Sequence, residues 1–168
     1  MKPVQSLLLI TMLILSVQLY AEEKNETYAS IRVLSAPLAA KIATTAEQYC
    51  FKKGYQVSVA VSDRYGTLLA FSRNPLAGAH TISVSQNKAY TSATFQLPST
   101  RAMEDMEFMR SVPRIALIGG GLPIRVGGHM YGAIGVSGAP ANKKPGDVDE
   151  ECAKAGLDAI IGELEFAD

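Results

Sequence analysis

Gln56-Val57-Ser58-Val59-Ala60-Val61-Ser62-Asp63-Arg64-Tyr65-Gly66-Thr67-Leu68-Leu69-Ala70-Phe71-Ser72-Arg73 is the stretch whose reading decides the fold. Valines alternate with small or polar residues from 56 to 63, so this segment is a strand with one buried face. Arg64 to Thr67 supplies a tight turn around Gly66, and Leu68 to Arg73 is a second strand ended by Asn74-Pro75. Strands joined this closely pair antiparallel, because a parallel pair needs a long crossover. A second hairpin fits Leu122–Val126 and His129–Ser137, turned at Gly127-Gly128. The short apolar run 114–118 reads as a fifth strand.

The helices stand outside these hairpins. Ser35 can cap a helix reaching Lys53, with Ala39, Ile42, Ala43, Ala46, Tyr49 and Cys50 on one face and Gly54 at its end. A middle helix fits His80 to Phe95. A shorter one fits Ser99 to Ser111 and is stopped by Pro113, and a last helix fits Asp147 to Leu164. The order α-β-β-α-α-β-β-β-α predicts an α+β domain. Its antiparallel five-stranded sheet has the N- and C-terminal helices on one face and a middle helical pair, in a profilin- or PAS-like three-layer arrangement.

At the N-terminus, Lys2 precedes the apolar run Leu7–Leu15, and Ser16 and Gln18 close it. This is the pattern of a secretory signal with cleavage after Ala21, and the run is too short to span a bilayer. Residues 1–21 are expected to be a signal peptide, 22–34 a flexible lead-in and 35–168 a single domain. A periplasmic or secreted protein follows, with no membrane association after cleavage. The 16 basic and 16 acidic residues balance, which leaves no electrostatic footprint for nucleic acid.

Cys50 lies near the end of the first helix and Cys152 near the start of the last. If those helices pack antiparallel, a Cys50–Cys152 disulfide can close a loop of about a hundred residues, worth about 2–4 kcal/mol. Two buried thiols acting as small hydrophobes is the alternative.

Four segments are candidates for chemistry. Gly119-Gly120-Gly121 either lets a ligand approach exposed backbone N–H groups or forms a tight bulge between strands. Lys88, Thr91 and Ser92 share one helical surface, which composition assigns to a solvated face over a pocket lining. His80 and His129 are the only histidines. His80, near the start of the middle helix, is the candidate metal ligand, and His129 sits at an exposed turn. The acids Asp147, Asp149, Glu150 and Glu151 complement the dipole of the last helix. No nucleophile–base–orienter set can be assembled, so the chain reads as a binder more than an enzyme.

Val59–Arg73 resembles a "V-x-V-x-D-x-x-G-x-L-x-x-x-x-R" segment, and Lys88–Phe95 a "K-A-x-T-A-x-x-F" helix. Gly119–Ile124 and Gly132–Ala139 are similar to "G-G-x-P" and "G-A-I-G-V-S-G-A" segments, and Asp147–Ala159 to a final helix. These motifs, in this order across 35–164, resemble the GlcG/HbpS family, which includes the C-terminal domain of PduO-type proteins. The resemblance implies a central antiparallel sheet flanked by helices, homo-oligomeric assembly, heme as cofactor for some members, and a role in heme or iron handling. It implies that Lys88, Tyr90 and Thr91 lie near the ligand. His80 matches no motif and is assigned to the iron as the histidine nearest that helix. Lys88 or Arg125 is expected to meet a propionate, and His80 or Tyr90 to approach the metal. The loop Asn74–Ala79 departs from the acidic or glycine-rich loop of many relatives, giving a less polar pocket entrance. The alternative function is an enzyme or accessory factor that binds a small hydroxy-carboxylate at Gly119–Gly121, without heme.

Overall fold

The structure, a computed structural model, describes residues 27–166. The signal-peptide segment and most of the lead-in lie outside the described residues. One compact unit begins at Arg32.

Helix α1 spans Ala36–Lys52, with the Ser35 hydroxyl accepting the Leu38 N–H as N-cap, and Gly54 follows at φ +88°. Strands β1 (Ser58–Asp63) and β2 (Leu68–Arg73) form the expected first hairpin. Asp63 fixes its turn by accepting the Tyr65 and Thr67 amides. Helix α2 is His80–Phe95 and α3 is Ser99–Asp105, followed by a 3₁₀ turn at Glu107–Met109. Strands β3 (Gly121–Val126) and β4 (His129–Ser137) form the second hairpin. Helix α4 is Asp147–Asp158 and α5 is Ile161–Glu165. The sheet is antiparallel with order β2-β1-β4-β3.

Each face of the sheet has its own chemistry. Val59, Val61, Ile134 and Val136 face α1 and α4 and build the main core with Ile42, Ala46, Cys152 and Ala153. The opposite face is made of small residues: Ser58, Ala60 and Ser62 on β1 pair with Ser137, Gly135 and Ala133 on β4. Helix α2 lies on this small-residue face. A Cβ at Gly135 would collide with the Ser85 carbonyl, and one at Gly121 would stand 2.5 Å from the Lys88 carbonyl. The layers are therefore α1 with α4, the sheet, and α2.

Three expectations are corrected. The sheet has four strands, not five, because residues 114–118 find their partners outside any ladder. Ala116 N–H donates to Thr91 Oγ1 at 2.8 Å, and the Ile118 carbonyl accepts the Ser99 hydroxyl at 2.7 Å. The helix expected over 99–111 stops at Asp105. Beyond it Phe108 is 78% exposed, so no buried stripe sustains a helix too short to persist on propensity. The last helix breaks at Ala159-Ile160, where Ile160 turns into the core.

The Cys50 and Cys152 sulfurs are bonded, with Cα atoms 5.6 Å apart. The bond ties the C-terminal end of α1 to the middle of α4, and both cysteines are fully buried.

Candidate functional site

The polar stripe of α2 is buried, contrary to the solvated-face reading. Thr81, Ser85, Lys88, Thr91 and Ser92 are all shielded. A face of small side chains lets a helix approach so closely that polar groups on it lose water and need protein partners, which the others find and the buried Ser92 hydroxyl does not. Thr81 pairs its hydroxyl with Ser58 at 2.7 Å, and Ser85 donates to the Ile82 carbonyl.

Lys88 is the extreme case, at 1% exposure. Its Nζ donates to the Val136 carbonyl at 2.9 Å and to Asp149 Oδ2 at 2.6 Å. Asp149 Oδ1 in turn accepts the Ala139 N–H at 2.9 Å. Lys88 stands on α2 and Asp149 on α4, so their ion pair joins the two outer layers around the end of β4. Burial holds the Lys88 ammonium below its ordinary proton affinity, against the pull of Asp149. Burial likewise pushes the Asp149 carboxyl up, against the pull of Lys88.

The glycine loop packs against this pair. A Cβ at Gly120 would stand 2.6 Å from Asp149 Cβ and 2.9 Å from Lys88 Nζ, and Gly120 sits at φ +110°. The loop's amides are largely committed to the protein. Gly119 N–H donates to the Pro145 carbonyl and Gly121 N–H to Ser99 Oγ, while the Gly120 carbonyl accepts Val136 N–H. The loop is thus a close-packing bulge at the strand entrance rather than a row of free N–H donors.

A cleft of about 370 Å³ opens beside the pair. His80, Val84 and Lys88 line one wall at successive turns of α2. Ile118, Ser137 to Ala139, Ala141, Pro145, Gly146 and Asp149 complete it. His80 is exposed at the rim, its ring folded against Gly78. The geometry therefore brings His80 and Lys88 to the cleft, while Gly119, Gly120 and Gly121 do not line it and pack behind Lys88, Asp149 and Gly146.

The remaining sequence candidates lie elsewhere. Tyr90 is wedged between the Gly66 turn and Arg114, whose guanidinium stacks 3.9 Å from the ring centroid. Thr91 is committed to Asn87 and Ala116. Arg125 is exposed and donates to the Gln96 carbonyl and Oε1. None of the three lines the cleft. His129 is exposed at its hairpin.

One cleft residue, Asp149, and one residue behind the glycine loop, Ser99, were not singled out from the sequence. Asp149 shares a stripe with Val148, Cys152, Ala153 and Gly156, so its spacing marked it as an acid on a buried face. Ser99 holds both ends of the glycine loop, at Ile118 and Gly121, and nothing in the sequence signals that. A larger groove of about 590 Å³ lies on the α1 side, but its polar groups pair with one another, Lys41 with Glu163 and Arg32 with Tyr131. Among the described residues no group of three or more His, Cys, Asp or Glu could hold a metal ion, and no helix is long and apolar enough to cross a membrane.

Comparison with known proteins gives one answer. Protein GlcG of Escherichia coli K12 is 33% identical over 110 residues, covering 62% of this chain and 81% of GlcG. A double mutant of Streptomyces reticuli HbpS has a similar structure, with TM-score 0.74 and 29% identity over 82% of this chain and 93% of that one. The crystal structure of a PduOC:heme complex shares the fold at TM-score 0.69, with 19% identity over 76% of this chain and 95% of its own. The family model described as "Haem degrading protein HbpS-like" matches residues 34–158, and with the cleft, hairpins and glycine bulge all inside that span, the chain belongs to the HbpS-like family.

Proposed function

We propose that this protein is an exported binder of heme or a related tetrapyrrole, with a role in heme or iron handling. The carrying observation is the cleft beside α2, with apolar walls from Val84, Ile118, Ala139, Ala141 and Pro145 and one imidazole, His80, at its rim. Apolar walls suit the face of a porphyrin, and imidazole is a common axial ligand of its iron. Heme supplies the iron chemistry when bound, and the chain supplies the imidazole and a dry surface. The described residues lining the cleft include one side chain suited to ligate that iron, so the donor set fits a single protein ligand. Lys88 borders the cleft with its ammonium paired to Asp149. The family description supports the heme reading.

The test is a hemin titration followed by absorbance, with His80→Ala alongside. Saturable one-site binding, weakened in the variant, is the expected result. Absence of any saturable change in the Soret band overturns the reading, whereas unchanged binding in the variant removes only His80. Export is part of the same proposal. It rests on Lys2 and the Leu7–Leu15 run, and is checked by the mass of the protein recovered from the periplasm or medium. Homo-oligomeric assembly belongs to it too, supported by the exposed apolar side chains Leu68 and Phe71 on edge strand β2. Light scattering that returns a monomer mass overturns that part.

A further inference from the structure

Lys88 is placed for more than structure. Its side chain is 1% exposed, whereas those of Lys41, Lys53, Lys144 and Lys154 range from 38% to 66%. An ammonium carries three N–H groups. Two of them are held by Val136 O and Asp149 Oδ2, and both side chains border the cleft. An ammonium and a carboxylate that are both cut off from water have an accessible alternative, a neutral amine beside a carboxylic acid. Burial drives the two groups toward it from both sides.

We propose that Lys88 is a nucleophilic amine that condenses with the carbonyl group of a small aldehyde or ketone entering the cleft, with Asp149 as its acid–base partner. Asp149 takes the proton from Lys88 Nζ, and the free electron pair attacks the carbonyl carbon. A proton passes from nitrogen to oxygen and gives a neutral carbinolamine. Asp149 then returns its proton to the carbinolamine oxygen, the C–O bond breaks, and water leaves. The product is an iminium cation facing the Asp149 carboxylate, so the charge pair of the resting state is restored. One water is released and no oxidant is needed. The walls formed by Val84, Ile118 and Ala139 favour a short, uncharged substrate chain. The inference uses the cleft but does not rest on the heme reading.

The test treats the full chain with propionaldehyde and sodium cyanoborohydride at neutral pH, and reads the propylated lysines by peptide mass mapping. Burial lowers the Lys88 proton affinity, and each unit of such depression leaves about tenfold more free amine, so Lys88 is expected to be labelled faster than the exposed lysines in that proportion. Labelling of the exposed lysines with Lys88 untouched overturns the proposal. Asp149→Asn removes the charge that raises the Lys88 proton affinity, so its effect is read on the high-pH plateau, where the amine is already free. Loss of the acid–base partner is expected to slow Lys88 labelling there about tenfold, with the exposed lysines unchanged. Should that variant fail to fold, the pH profile of the unaltered protein decides. A Lys88 rate that levels off at a lower pH than those of the exposed lysines supports the proposal, and one climbing in parallel with them sinks it. Selective labelling without hemin binding removes only the tetrapyrrole reading, and the reverse pattern removes only this one.

Discussion

Lys88→Met leaves the Asp149 carboxylate buried with no ammonium beside it. Removing one partner of a buried pair costs about 3–5 kcal/mol, far more than the pair adds over an apolar replacement. A urea midpoint that falls accordingly for Lys88→Met, and recovers in Lys88→Met/Asp149→Leu, is the expected outcome. Asp147 shows the opposite electrostatics in the same helix turn. Its carboxylate accepts the Asn142, Lys143, Lys144 and Val148 amides, which hold it down to about 2. A carboxyl depressed in the folded state adds stability that is present above its unfolded value and lost as pH falls through the folded one. Asp147→Asn should therefore lower Tm at neutral pH. The gap to the unaltered protein should close between about pH 4 and pH 2, as thermal melts across that window will read. The acid cluster was visible in the sequence, but its two roles were not. Asp147 and Asp149 both sit in the first turn, where the helix dipole explains either one. Only the packing of α4 distinguishes the acid that faces a loop from the acid that faces a lysine.

Helix α2 shows how an element misleads a reader of sequence. Its buried side is threonine, serine, lysine and alanine, so no apolar stripe announces it, and polarity alone points to solvent. The missing half of the signal lies on the strands, where Ser58, Ala60, Ser62, Ala133 and Gly135 form a face too flat to fill by itself. Gly135→Ala tests this fit. The added methyl meets the Ser85 carbonyl and stands 2.5 Å from the Ala89 amide, and overpacking of this kind costs about 1–3 kcal/mol. A lowered denaturant midpoint with an unchanged slope is expected. The two hairpins and α1 were legible because alternation and capping are local patterns. Residues 114–118 were not, because a short apolar run reads the same whether its amides join a ladder or meet Thr91.

At the scale of the whole molecule, the fold class, the helix pair on one face and the family were readable from motif order. The number of strands and the burial of α2 were not. The Cys50–Cys152 bond spans 102 residues and ties α1 to α4. Replacing both cysteines by alanine should cost about 2–5 kcal/mol in urea unfolding, with hemin affinity preserved, because neither cysteine lines the cleft. The bond also makes β1 through the first half of α4, with the cleft among them, a ring closed by one covalent clasp. A protease can cut such a ring once without taking it apart. Trypsin nicking after Lys143, in the exposed 140–145 loop, should give two fragments on a reducing gel and a single band on a non-reducing one. A severed molecule whose two pieces stay joined is what this closure provides.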